Sequence, residues 1–217
     1  MRIASILALS LVAGTASANV VATFGFTDLS GSYDSGTGIY RAVAVDSPAF
    51  STSGDVTAIG SPFATATYAY GFTNRSGFAN ADFSIDVTMN NGTTAVGAGS
   101  FTITDDNGDT LTGNISGLWI NGGSGFVYFN GSLSGVSFNN VTGDGTFDGP
   151  DGGGFGIPLT QLNNEDGAIV GLFFRGANFF GSSFSARTAQ IDGQILPTPG
   201  SLALACVGGL ALARRRR

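Results

Sequence analysis

The stretch Asp82-Phe83-Ser84-Ile85-Asp86-Val87-Thr88-Met89 alternates polar and apolar residues without an error. In an extended chain successive side chains point to opposite faces, so Phe83, Ile85, Val87 and Met89 share one side. That is the pattern of an antiparallel strand with one face on a core and the other in water. Similar short runs recur at 40–45, 64–72, 101–104, 111–115, 126–133, 168–174 and 188–195, separated by Gly, Ser, Thr and Asn. Only 159–165 could hold a helical turn. Turn signals spaced by about 8–12 residues imply about nine to twelve strands. The expected fold is all-β: a single antiparallel β-sandwich or jelly roll, with a closed lipocalin-like β-barrel as the alternative. The Phe173-Phe174 and Phe179-Phe180 pairs put aromatics on both faces, which suggests a strand covered on two sides.

One hairpin can be derived in detail. Phe101 and Ile103 point inward on its first strand, Leu111 and Ile115 on its second. Cross-strand partners share a face, so Ile103 must pair with Leu111, and a two-residue turn would break that parity. The loop is therefore Asp106-Asn107-Gly108, with Gly108 in a left-handed position and Asp105 directly opposite Asp109. Further on, inward positions Val127, Phe129 and Leu133 give way to Val136 and Phe138, which predicts a bulge near Ser134-Gly135. The stretch Thr142–Gly156 holds seven glycines with Asp144, Asp148 and Asp151, and reads as one long loop.

Charge and missing side chains narrow the chemistry. Residues 19–195 hold all 15 acids of the chain against Arg41, Arg75, Arg175 and Arg187, a net charge of −11, with no Lys anywhere. Such a surface repels phosphate backbones and argues against nucleic-acid binding. The chain has no His, and its one cysteine is Cys206. The usual zinc, haem and iron ligand sets are therefore missing, as are serine and cysteine triads. Paired-carboxylate glycoside hydrolysis is the best surviving enzymatic case. The lone Glu165 sits in a turn-like Asn163-Asn164-Glu165-Asp166-Gly167 context, so the domain reads as a non-enzyme.

Both ends carry targeting features. Met1-Arg2, the apolar run 3–13 and Ala16-Ser17-Ala18 make a signal peptide, with cleavage after Ala18 leaving Asn19 first. At the other end, Pro197-Thr198-Pro199-Gly200 precedes an apolar run, 201–213, and the cluster Arg214, Arg215, Arg216 and Arg217. Thirteen residues of helix span about 20 Å, short of a ~30 Å hydrocarbon core, and four arginines resist translocation. A short span with a strong stop suits a transient hold during processing better than lifelong anchoring. This tail resembles the PEP-CTERM sorting signal, with Thr198 in place of the usual Glu. The resemblance covers 196–217 alone. It implies processing by an exosortase after signal peptidase has acted, with release to the cell surface or an exopolysaccharide matrix.

Residues 19–195 are thus the working domain, between a leader (1–18) and a tail (196–217), and three groups of side chains stand out in it. Asp105-x-Asn107-x-Asp109 copies the opening spacing of a calcium loop, although Thr110 and Ser116 replace the later Gly and Glu. Asp144, Asp148 and Asp151 form a second acidic set, with Phe155 where a bidentate Glu would belong. Trp119, Tyr128, Tyr68 and Tyr70 could stack on sugar rings if exposed. The expected function is an exported surface or biofilm-matrix domain with a structural or adhesive role. The alternative is a carbohydrate-binding module for an exopolysaccharide. A row of exposed aromatics would favour the binder, and faces of Ser, Thr and Asn the structural role.

Overall fold

Alternation in the sequence becomes hydrogen bonding between ten strands: β1 (Ala22–Asp34), β2 (Ile39–Val43), β3 (Ser53–Ala58), β4 (Thr65–Tyr68), β5 (Asn80–Asp86), β6 (Thr94–Thr104), β7 (Thr110–Gly123), β8 (Phe126–Asn139), β9 (Glu165–Arg175) and β10 (Phe184–Leu196). The computed structural model describes residues 20–59, 64–72, 79–150, 162, 164–175 and 178–196. Every strand pairing among them is antiparallel, and none of these residues is in an α-helix, so the all-β expectation holds. The expected signal helix, the sorting tail from Pro197 to Arg217 and the cleavage residues Ala16, Ala18 and Asn19 lie outside the described residues. So does most of 159–165, while Glu165 itself opens β9 rather than closing a turn.

The ladder runs β10-β9-β8-β7-β6-β5-β2-β1-β3-β4, and β10 pairs again with β1. One edge of β1 carries β10. Its other edge is shared, with 22–27 on β3 and 30–34 on β2. Eight strands therefore form a hydrogen-bonded ring, from which the β3–β4 hairpin branches. The fork falls at Asp28, whose φ of 57° lies in the register shift between Phe26 and Leu29. Thr52 fills it: fully buried, its hydroxyl donates to the Asp28 carbonyl at 2.9 Å and accepts from the Val45 N–H at 2.9 Å. This partner switch, with Gly25 and Gly31 in the strand, breaks the alternation of β1 and hides that strand from a periodicity reading.

Inward positions fill the ring with aromatic side chains. Tyr40 of β2 stacks on Phe174 of β9 at 4.6 Å and meets Trp119 of β7 edge-on at 5.1 Å, while Phe24 of β1 lies 5.6 Å from Phe101 of β6. None of these strand pairs is hydrogen-bonded, so the contacts cross the interior. Rings at such separations each add about 0.5–1.5 kcal/mol beyond their burial. Phe180, on a turn where Asn178, Phe179 and Phe180 have φ of 63°, 35° and 62°, covers Trp119 at 5.0 Å. The second Phe pair is thus a turn and not a strand covered on two sides. In the first pair Phe174 is core and Phe173 lies on the outer face, partly buried.

Strand direction gives the ring two ends. Ala22 and Ile195 pair at one end, which also carries the β6–β7 turn. The β7–β8 turn and the start of β10 lie at the other. The chain from Asn19 to Thr198 forms a compact unit of its own, with all ten strands and the whole described core inside it.

Candidate functional site

At the end where β1 begins, the derived hairpin is observed as expected. Ile103 pairs with Leu111 and Thr104 with Thr110, and the Asp105 N–H donates to the Asp109 carbonyl at 2.9 Å. Gly108 has a φ of 102°. The bulge expected near Ser134-Gly135 is also present: Gly113 faces the pair Gly135-Val136, with Gly135 at φ 61°.

The surroundings of the turn differ from a solvated tip. Asp105 and Asp109 are fully buried. Asp105 Oδ1 accepts the N–H groups of Asn107, Gly108 and Asp109 at 3.0, 2.8 and 2.9 Å, and its Oδ2 accepts the Asp148 N–H at 3.0 Å. Asp109 accepts the Thr142 N–H at 2.8 Å and the Thr142 hydroxyl at 2.9 Å. Phe147 is driven into the core beside Tyr68 and Phe138, at 6.3 and 6.2 Å. The glycine-rich segment 140–148 is therefore latched over the hairpin by two carboxylates and one aromatic ring.

Electrostatics follow from this packing. Loss of hydration pushes the Asp105 carboxyl above the usual carboxylate range, although four N–H donors pull the other way. Exposed Asp144 is held below it, chiefly by the Thr146 N–H. The Tyr68 phenol is raised well above its ordinary value by burial, and further by the negative charges of Asp105, Asp148 and Asp106.

The residues of the calcium-loop spacing are engaged with protein partners. An ion needs oxygen lone pairs, and those of Asp105 point at backbone N–H groups. Asn107 is exposed and turns its amide to Asp144 Oδ2 at 3.0 Å, away from Asp105 and Asp109. In the second acidic set Asp144 and Asp148 flank the Thr146 hydroxyl at 3.1 and 2.8 Å, and Asp151 lies outside the described residues. Among the described residues no three His, Cys, Asp or Glu side chains gather as metal ligands would.

The aromatic candidates separate by depth. Trp119 and Tyr68 are core residues, the indole N–H of Trp119 donating to the Asp86 carbonyl at 2.9 Å. Tyr70 and Tyr128 are exposed, Tyr70 just beyond β4 and Tyr128 on β8, strands that are not neighbours in the ladder. Tyr128 has company that the sequence reading missed. Phe126 lies two residues before it on the same face, 6.4 Å away with rings within 25°, and Phe173 sits opposite at 6.4 Å. Arg175, paired with Phe126, holds its guanidinium 5.7 Å from that ring. The Tyr128 ring occupies the space a Cβ at Gly122 would need. Toward β6, Ile120 faces Tyr128, and Leu118 (50% exposed) pairs with Val96 (38% exposed). Parity could have found these residues, because each alternates with a core neighbour such as Trp119, Val127 or Phe174.

The outer face over β3, β1 and β10 is different in kind. Thr23, Thr57, Gln194, Asp55 and Asp192 line an open groove of about 450 Å³ with Gly25 at its floor, both carboxylates standing in solvent.

Ring, latch and outer face define an antiparallel all-β domain with an aromatic core and two unlike exteriors. Against known proteins, the chain matches no family model, no curated protein and no solved structure.

Proposed function

We propose that this is an exported domain of the cell surface or biofilm matrix, structural or adhesive in role and not an enzyme. The leader ending at Ala18 and the Pro197–Arg217 tail would be removed by signal peptidase and an exosortase after a transient stay in the inner membrane. The observation that carries the reading is the outer face of Val96, Leu118, Phe126 and Tyr128, four apolar or aromatic side chains that stand in solvent. Intact-mass spectrometry of the extracellular form tests it: the expected species starts at Asn19 and lacks the arginine cluster. An uncut chain confined to the cytosol would overturn the reading.

A second reading, a module that binds exopolysaccharide, is favoured by one feature. The rings of Phe126, Tyr128 and Phe173 lie near one another at small to moderate tilt, as a stacking platform requires. A glycan array with wild type and Tyr128→Ala separates the two readings. Signals lost in the variant support the module, and a blank array removes it.

A further inference from the structure

We propose that the outer face of β6, β7, β8 and the distal half of β9 is a self-association surface whose occupant is a second copy of the same face. The inference rests on the structural reading above and names the partner that reading leaves open.

Three observations converge. First, strands β6, β7 and β8 contain no Asp or Glu, in a domain that otherwise carries every acid of the chain. Two copies at net charge −11 repel one another over most orientations, and this is the face they can bring together with least repulsion. Secondly, its exposed residues form one connected patch. Val96 pairs with Leu118, Ile120 with Tyr128, Tyr128 with Phe173 and Phe126 with Arg175. Thirdly, toward the β7–β8 turn the face has the Tyr, Phe and Arg of an interface core and no Asp or Glu, while Ser100, Ser116 and Ser132 occupy its other half.

The mixture favours protein over sugar. Leu118 and Val96 bring branched aliphatic surface that packs against another sheet but offers a pyranose ring no flat face. Strand spacing makes the patch about 15 Å across. Two copies would therefore bury on the order of 500 Å², below the size of a stable interface and matched to a weak, concentration-dependent contact. The aromatic part of the patch lies at the end of the ring away from Ala22 and Ile195.

Sedimentation velocity on the 19–198 unit tests the proposal from about 10 μM to 1 mM, a range chosen for a weak interface. The expected result is a rising sedimentation coefficient, with association strengthened by NaCl as the net repulsion is screened. Leu118→Asp and Tyr128→Ser should each weaken it by about tenfold, from lost apolar contact and, for Asp, added repulsion. Ile59→Asp, at an exposed site elsewhere, should leave it unchanged. Thermal melts close to wild type show that the variants fold. A domain that stays monomeric throughout overturns the proposal but leaves export and matrix residence standing. So does association that neither face variant alters. Polygalacturonate added to the monomer gives the contrasting outcome: binding that is lost in Tyr128→Ser and falls with salt would assign the face to an acidic polysaccharide instead.

Discussion

The two ends of the ring break the usual rule of burial in opposite directions. Where β1 begins, Asp105 and Asp109 are fully buried, while toward the other end Phe126, Tyr128 and Leu118 are in solvent. The first departure is fully compensated. Six hydrogen bonds from N–H and hydroxyl groups reach the two carboxylates and hold the segment 140–148. The second has no such compensation among the described residues. A buried polar group with its partners explains itself as structure. An exposed apolar patch with no partner asks what covers it.

The comparison is broken most severely at Asp105. Asp105→Ala leaves four N–H groups of the latch without their acceptor, and urea unfolding should register a loss of about 3–5 kcal/mol. Asp105→Asn can keep the three bonds at one oxygen but sets an amide N–H against that of Asp148. It should cost about 1–2 kcal/mol. If both variants unfold like wild type, the latch is not structural.

The same group sets a pH dependence. Its folded pKa is raised above the unfolded value, so folded protein binds more protons over the window just above pH ~4. Asp105 therefore contributes most at low pH, and that contribution falls as pH rises through its folded pKa. Exposed Asp144, with a lowered pKa, has the opposite sign, its contribution fading as pH falls. Wild type should therefore exceed Asp105→Asn in stability by more at pH 4 than at pH 7 in matched denaturation curves.

Smaller effects sharpen the contrast. Thr142→Val removes the hydroxyl at Asp109 and should cost about 1 kcal/mol, with faster proteolytic cleavage between 140 and 148. Gly135→Ala meets no side-chain contact closer than 3.4 Å, so only its φ of 61° is penalised, by about 1 kcal/mol. Tyr128→Ala should change stability by no more than about 0.5–1 kcal/mol, because little of its environment is core. A larger loss would mean that the outer aromatics belong to the fold.

The sequence alone carried much of this architecture. Alternation over Asp82–Asp86 placed Phe83 and Ile85 inward, but the strand ends there and Met89, expected on the same face, is exposed with a φ of 51°. Parity elsewhere dictated the three-residue turn, the Asp105–Asp109 opposition and the Gly135 bulge. These conclusions need only the two-residue period of a strand, a local property. Missing His and Lys likewise set the available chemistry before any folding. Sequence could not show that β1 switches partners at Asp28, or that β10 returns to β1 to close the ring, because those pairings join residues more than a hundred positions apart or depend on a single buried Thr52. Nor could it show the fate of Asp105. Its spacing reads as a calcium loop or a solvated turn, and only the arrival of Thr142, Phe147 and Asp148 shows that the carboxylate is buried. Period and composition act along the chain, whereas burial of a charge is set by what packs across it.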